Sequence, residues 1–554
     1  MVQFVKRKNK DDGHKRHRHN RYSNLMHERN IHKSSITNFE ELGEKYAYLN
    51  RYLIVNKKGK KFYNFEKTIA TYVLSKALLK EHYNLHFFLP YIYVEKLYHK
   101  IDDIITSSSH NNNNKQYFLY YNEEELYDIR KNSLLEAYNE YTDNLLHLID
   151  AYEEGIQNNI NKEITYPNLK NQNEQPKNNF LCPCVPGRAN YIHIIADLTI
   201  INSLENYKDN INTYIYRNNN DINNTPILLY GNIIKVLDVG VGANCIYPLL
   251  GNIVYKWSFI GVDINIDSLK YSYINIILNN KENDILLKYQ HDKHKIFLNV
   301  IKHSDLYFFT MCNPPYYTLL EEFNKNPFRN VEANIDEVVY YSENNNEENC
   351  NDEIANINDD NKYDICNNVS SYNAHEQISN NNKMKENEEN YNSPKNDNNT
   401  PFIGPRNSNM DVKTKDINSH LHKGGEYKFI MKMINESKIF FYNVIWFTTL
   451  VSKKSNVKLI KNEIIQSMRL YSVHKKKQVD FLNDVITNNL YFDKFFYFKN
   501  INSSSFPLYI SQYRIFESYT GRITRWILCW SYYNESQINY LKKKFYEKNI
   551  ENPT

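Results

Sequence analysis

The chain has 554 residues, 41% of them hydrophobic, with 68 Lys+Arg against 64 Asp+Glu and a mean hydropathy of -0.69. Its longest mainly apolar stretch, residues 440–451, contains Asn443 and is far short of the roughly 20 residues a bilayer requires, so no membrane-spanning segment is expected. No apolar run follows the N-terminal charges as a secretory leader demands, and 7 cysteines without paired CxxC spacing read as reduced thiols rather than a zinc site.

Residues 1–24 are a basic tail, with eight Lys/Arg and three His against Asp11 and Asp12 in the first 21 residues. Such a run reads as a nuclear-import or RNA-contacting arm, or equally as a solvated disordered end. Residues 25–100 alternate helical patterns with short apolar runs, among them 52–55 and a helix near 68–81, and are expected to form a small N-terminal module. Residues 101–180 read as a low-complexity insertion. Residues 181–330 carry apolar strands at 234–239, 259–262 and 306–311 and a helix near 268–278. In residues 331–420 no apolar period survives: twenty of the sixty residues from 341 to 400 are Asn, too little apolar surface to offset the entropy of ordering. Strands at 444–450 and 526–532 and a helix near 427–437 follow within 421–535, and residues 536–554 read as a C-terminal tail. The alternation of strand and helix implies βαβ units and a parallel sheet covered on both faces.

Charge sharpens when divided. Residues 331–400 hold 16 Asp/Glu and 4 Lys/Arg, and with +4 overall that net of −12 leaves +16 on the remainder. A basic body favours a polyanionic partner such as nucleic acid.

The first strand of the second block ends in Asp238-Val239-Gly240-Val241-Gly242, a turn that lets a ligand approach backbone. Twenty-three residues beyond Gly240, Asp263 closes the next apolar run, where an acidic side chain accepts hydrogen bonds from both ribose hydroxyls of a nucleoside. A third fingerprint glycine is absent, since Ile246 follows Cys245, and the Gly pair suits S-adenosylmethionine (SAM) better than NAD. Asn313-Pro314-Pro315-Tyr316 comes directly after the 306–311 strand. The prolines stiffen an extended turn that offers the Asn carboxamide and a Pro carbonyl as acceptors for an amino group, while the Tyr presents a stacking face. An amine gripped in this way is aimed at a sulfonium methyl by positioning, which demands neither a metal nor a general base.

Segments 181–197 (LCPCVPGRANYIHIIAD), 237–251 (LDVGVGANCIYPLLG), 312–316 (CNPPY) and 521–526 (GRITRW), with 26–30 (MHERN), 423–428 (KGGEYK) and 446–452 (WFTTLVS), resemble the RNA adenine-N6 methyltransferases that group bacterial large-subunit rRNA methylases with the eukaryotic U6 small nuclear RNA methylase. The resemblance implies an α/β fold: a seven-stranded Rossmann-like SAM-dependent methyltransferase with a small N-terminal RNA-binding module and long Asn-rich insertions. It implies that Arg188 holds the SAM carboxylate, Gly240 the methionine part, Asp263 the ribose and Asn313 the methyl end with the target amine, Asp238 and Gly242 completing the cofactor set. Tyr316 stands where the family more often has Phe, and either ring stacks on adenine. Arg29, Lys293 and Lys295 of a basic loop at 288–295, Arg522 and Arg525 are the RNA-contacting candidates. A counterpart of the C-terminal RNA-binding region of vertebrate members is not expected.

The partner expected is a structured RNA with an unpaired or flipped adenine, U6 small nuclear RNA before large-subunit rRNA, with no membrane and protein partners unassigned. The expected compartment is the nucleus, with the cytoplasm as the alternative. Two rival readings are a protein glutamine N5-methyltransferase, because NPPY grips an amide nitrogen by the same logic, and a catalytically dead RNA-binding scaffold. The basic body argues against the first, and Asn313 with Asp263 against the second.

Overall fold

The computed structural model describes residues 26–34, 38–55, 59, 61–64, 68–89, 124–151, 153, 182–201, 226–315, 425–501, 504, 506–520 and 523–551. The basic tail at 1–24 and the acidic segment at 331–420 lie outside the described residues.

At the N-terminus β1 (Leu53–Val55) pairs antiparallel with β2 (Lys61–Tyr63), followed by helix α1 (Thr68–Tyr83). Helix α2 (Glu124–Asp143) packs onto this module. Its apolar residues Leu134, Tyr138 and Tyr141 are buried at helical spacing, with Leu145 and Ile149 continuing the stripe. The buried Lys76 of α1 donates to Tyr138 Oη at 2.8 Å, with its ammonium 5.0 Å from that ring. Residues 124–151 are thus part of the folded core, which corrects the expected extent of the 101–180 insertion: their Asn, Glu and Lys content hides six buried apolar side chains, Ala137 among them.

Helix α3 (Val185–Ala196) starts with a proline in its first turn, where a missing N–H costs nothing. The central sheet then begins with β3 (Lys235–Val239), which leads through α4 (Ile246–Tyr255) to β4 (Ser258–Asp263) and through α5 (Ile266–Leu278) to β5 (Ile285–Tyr289). Asn265 caps α5 by accepting from Asp267 N and Ser268 N at 2.8 and 3.2 Å. After β6 (Tyr307–Cys312) come α6 (Gly425–Ser437), β7 (Val444–Val451) and the long α7 (Lys454–Asn488), then a small hairpin of β8 (Leu490–Phe492) and β9 (Phe496–Phe498). The chain closes with β10 (Gln512–Thr520), β11 (Ile523–Ser531) and α8 (Glu535–Glu551).

The seven strands of the sheet lie in the order β10-β11-β7-β6-β3-β4-β5. From β7 to β5 all pairs are parallel, whereas β11 runs antiparallel to β7 and β10 to β11. The expected sheet is present, with an antiparallel hairpin added at one edge. Every residue of β4, β6 and β7 is buried, and because successive side chains face opposite sides, both faces are covered. Trp257, Trp446 and Trp530 anchor the core, Trp530 stacked on Phe447 at 5.5 Å; burying an indole of this size contributes about 5 kcal/mol. Asn443, the polar interruption in the apolar stretch, donates to the carbonyls of Lys302, His303 and Asp305, tying down the chain that enters β6. Helix α8 occupies the expected C-terminal tail: Ile538, Leu541 and Phe545 are buried, and Lys542 Nζ donates to Ile200 O at 2.9 Å.

Candidate active site

Strand register lines up three neighbouring strand ends. Val239 pairs with Val262 of β4 and with Cys312 of β6, so Asp263, Gly240 and Asn313 follow side by side at the carboxyl edge. The strand order reverses here, with β4 and β5 on one side of β3 and β6 and β7 on the other, and open α/β sheets leave a ligand crevice at such a point.

The turn after β3 is built to leave room. Gly240 donates its N–H to Val262 O at 2.8 Å, and Gly240 and Gly242 take φ of +75° and +63°, values that side chains resist. A Cβ at either position would meet nothing within 4 Å, so the space beside both is open. Asp263 braces the turn by accepting from Gly242 N at 2.8 Å and from Asn265 N at 2.9 Å. Burial pushes its carboxyl above the usual range, against the pull of those amides. Ile264 and Ile266, 43% and 42% exposed beside it, form an apolar shelf that sequence reasoning passed over; the only signal was an Ile on either side of Asn265, outside the strand.

Two buried acceptors at this edge lack partners. Asp238 is completely buried, and neither carboxylate oxygen has a hydrogen-bond partner among the described residues. Burial first, and then the charge of Asp263, push its pKa up to about 8, with Arg188 opposing. Asn313 Oδ1 is likewise buried without a hydrogen-bond partner among the described residues. An unmet buried acceptor costs about 1–3 kcal/mol, a penalty that a ligand N–H removes.

Helix α3 brings Arg188 over the edge. Tyr191, one turn later, bonds Thr448 Oγ1 at 2.8 Å, and Thr448 in turn donates to Thr310 O of β6 at 2.6 Å, which fixes the helix across β6 and β7. The Arg188 guanidinium lies 5.3 Å from the Tyr247 ring and donates to Tyr247 Oη. Arg525 of β11 stands opposite Ser518, whose Oγ accepts from Asn190 of α3 at 3.0 Å, so Arg525 borders the same helix.

The remaining RNA candidates separate. The expected 288–295 loop begins inside β5, where Lys288 is buried and donates to Val300 O at 2.9 Å; beyond the strand Lys293 is exposed, and Lys295 pairs with Asp292 at 3.1 Å. Arg29 is placed otherwise than expected: its guanidinium donates to Tyr255 Oη at 2.9 Å, His193 O at 3.0 Å and Asp197 Oδ1 at 2.7 Å. These bonds make it a clasp between the N-terminal segment and helices α3 and α4. Tyr316 and Arg522 lie outside the described residues. Among the described residues no group of three or more His, Cys, Asp or Glu is placed to hold a metal, and no helix is long and apolar enough to cross a membrane.

A family of RNA methyltransferases matches residues 20–119, 170–347 and 329–481. The chain belongs to this family. The ribosomal RNA large subunit methyltransferase F of Flavobacterium johnsoniae is 31% identical over 302 residues, 54% of this chain and 68% of that protein. The protein of the same name from Photobacterium profundum is 29% identical over 306 residues, 54% and 67%. Among solved structures, the catalytic domain of human METTL16 in complex with a MAT2A 3′UTR hairpin is similar at 17% identity and a TM-score of 0.46, covering 92% of this chain and 96% of that one. In this RNA methyltransferase the carboxyl edge of β3, β4 and β6 therefore gathers the residues singled out for cofactor and amine: Arg188, Asp238, Gly240, Gly242, Asp263 and Asn313.

Proposed function

We propose that this RNA methyltransferase transfers a methyl group from SAM to N6 of an unpaired or flipped adenine in a structured RNA. The reading is carried by the buried, unpartnered Oδ1 of Asn313 beside the open glycine turn, an acceptor placed where an exocyclic amine would need one. The SAM fit rests on the same edge: open space at Gly240 and Gly242, the unmet carboxyl of Asp238, which an ammonium would draw into its ionised form, Asp263 beside the turn for ribose hydroxyls, Arg188 for a carboxylate, and the exposed Ile264 and Ile266 for an adenine ring. When bound, the sulfonium supplies an electrophilic methyl group.

The residues of the chain supply orientation. Asn313 Oδ1 and the Pro314 carbonyl accept from the amine and hold its nitrogen lone pair out of conjugation, pointed along the transfer axis, and Tyr316 stacks on the base. The amine proton leaves after the nitrogen becomes cationic, so the acceptors stabilise charge that develops in the transition state. Arg525, Lys293, Lys295 and Arg522 take phosphates, with the N-terminal module as a further grip.

U6-type small nuclear RNA is the first substrate to test and large-subunit rRNA the second; the basic residues 1–24 support a nuclear site of action, while the two bacterial relatives named above are ribosomal RNA large subunit methyltransferases. Labelled SAM incubated with the enzyme, total RNA and total protein, followed by digestion, is expected to place the label in N6-methyladenosine. Label in glutamine of protein would overturn the reading.

A further inference from the structure

The cofactor turn is held from beneath by helix α5. Ser272 Oγ donates to Gly242 O, and one turn on, Asn275 Nδ2 reaches Ala243 O at 3.5 Å and Tyr271 O at 3.2 Å. With Asp263 on Gly242 N, consecutive peptide units of the turn are fixed by side chains of β4 and α5.

Asn275 is completely buried and faces a second element with its other end. Its Oδ1 accepts from Phe88 N at 2.8 Å. Phe88 belongs to residues 84–89, which follow α1, and its ring stacks on Tyr271 of α5 at 5.9 Å and meets Tyr141 of α2 at 5.1 Å. One turn further along α5, Asn279 holds the same segment by accepting from His86 N and donating to His86 O, both at 2.8 Å. Its remaining contact is to Asn275 O within its own helix. Both asparagines thus hold the N-terminal module, Asn275 by one hydrogen bond and Asn279 by two, but only Asn275 also reaches the glycine turn.

We propose that Asn275 is a positioning residue for methyl transfer: it sets the Ala243 carbonyl, and with it the cofactor turn, against the docked segment 84–89. The N-terminal module and the cofactor turn then share one side chain, so displacement of the module is felt at the cofactor. A buried amide with both ends engaged has no low-cost alternative rotamer, because turning it leaves the Phe88 N–H unmet. The inference rests on the reading of Gly240 to Ala243 as the cofactor turn.

Asn279 provides the control. The probe is S-adenosylhomocysteine, titrated calorimetrically into the full-length wild type, Asn275→Ala, Asn275→Asp and Asn279→Ala, with the thermal midpoint of each recorded. Asn275→Asp keeps the acceptor for Phe88 N–H and loses the donor to Ala243. Both Asn275 variants are expected to bind at least tenfold more weakly than wild type, and Asn279→Ala within twofold, although Asn279→Ala and Asn275→Ala lower the midpoint comparably. With saturating cofactor, kcat of Asn275→Asp should return to within threefold of wild type, a KM effect that general misfolding does not produce. Equal affinities for Asn275→Asp and Asn279→Ala would overturn the assignment. No binding to the wild type at all would overturn the cofactor reading beneath it.

Discussion

Two polar regions of this methyltransferase that border α3 are built differently. Beneath the helix, where residues 26–30 dock, polar groups find partners within the chain. Arg29 meets Tyr255, His193 O and Asp197; His27 bonds Asp197 at 3.1 Å and its N–H reaches Asn190 Oδ1 at 2.7 Å; Asn30 donates to Pro186 O at 3.0 Å. Although burial opposes it, His27 and Arg29 hold the Asp197 carboxyl below the usual range. At the carboxyl edge of β3 and β6, by contrast, Asp238 and Asn313 Oδ1 are buried and unmet. The satisfied groups of the first region act as architecture, whereas the open acceptors beside the glycine turn are placed to meet a ligand.

The largest effect that would break this contrast lies at Asn313. Asn313→Ala should lower turnover by about 10²- to 10³-fold, the range for removing one group that meets transition-state charge, with cofactor affinity within a few-fold of wild type. Single-turnover kinetics beside calorimetry checks both halves, and near-normal turnover would remove Asn313 from the chemistry. Asp263→Ala comes next. Its carboxylate braces Gly242 N as well as the expected ribose site, so cofactor affinity should fall by about 10- to 100-fold, the loss of one or two charge-assisted hydrogen bonds.

Arg29→Ala should act on the other region. Because Arg29 and Asp197 are each about a third or more exposed at the side chain, the cost is expected to be about 1–2 kcal/mol, read as a thermal midpoint a few degrees lower. RNA affinity at constant salt should be unchanged; a selective loss of RNA binding with an unchanged midpoint would restore Arg29 to the RNA surface.

A last effect, on stability rather than on binding or turnover, is one of pH. Asp238 keeps its proton up to about 8 in the folded chain, whereas an unfolded Asp releases it near 4. Between those values the folded state binds the extra proton, so this group's contribution to stability is full below about pH 4 and is lost as pH rises towards 8. Asp238→Asn, which cannot ionise, should flatten that part of the wild-type stability profile, measured by denaturant unfolding from pH 5 to 9. An identical slope in the variant would assign the titration elsewhere.

Much of this was legible in the sequence, for definite reasons. Three strands of the parallel sheet are short apolar runs with Asp238, Asp263 and Asn313 at or beside their carboxyl ends, and each expected strand lies within a residue or two of the observed one, except that β11 begins three residues before the expected 526. Helix α7 escaped because its buried residues Ile460, Ile464, Tyr471, Gln478, Leu482 and Val485 form a single sparse stripe among Lys, Asn and Glu. Composition hid α2 and α8 in the same way. The role of Arg29 was invisible because its partners Asp197 and Tyr255 lie 168 and 226 residues away, and Asn275 carried no local mark at all. Sequence showed which residue types cluster near glycine turns; only the fold showed which of them were already satisfied.

Backbone hydrogen exchange of the full chain with and without S-adenosylhomocysteine tests the contrast most directly. The amides of residues 240–245, 263–265 and 313 should slow by tenfold or more on binding, while those of residues 26–30 and the facing turn of α3 around Asn190 and His193 stay within twofold. Protection confined to the segment beneath α3, with the carboxyl edge unchanged, would contradict the account.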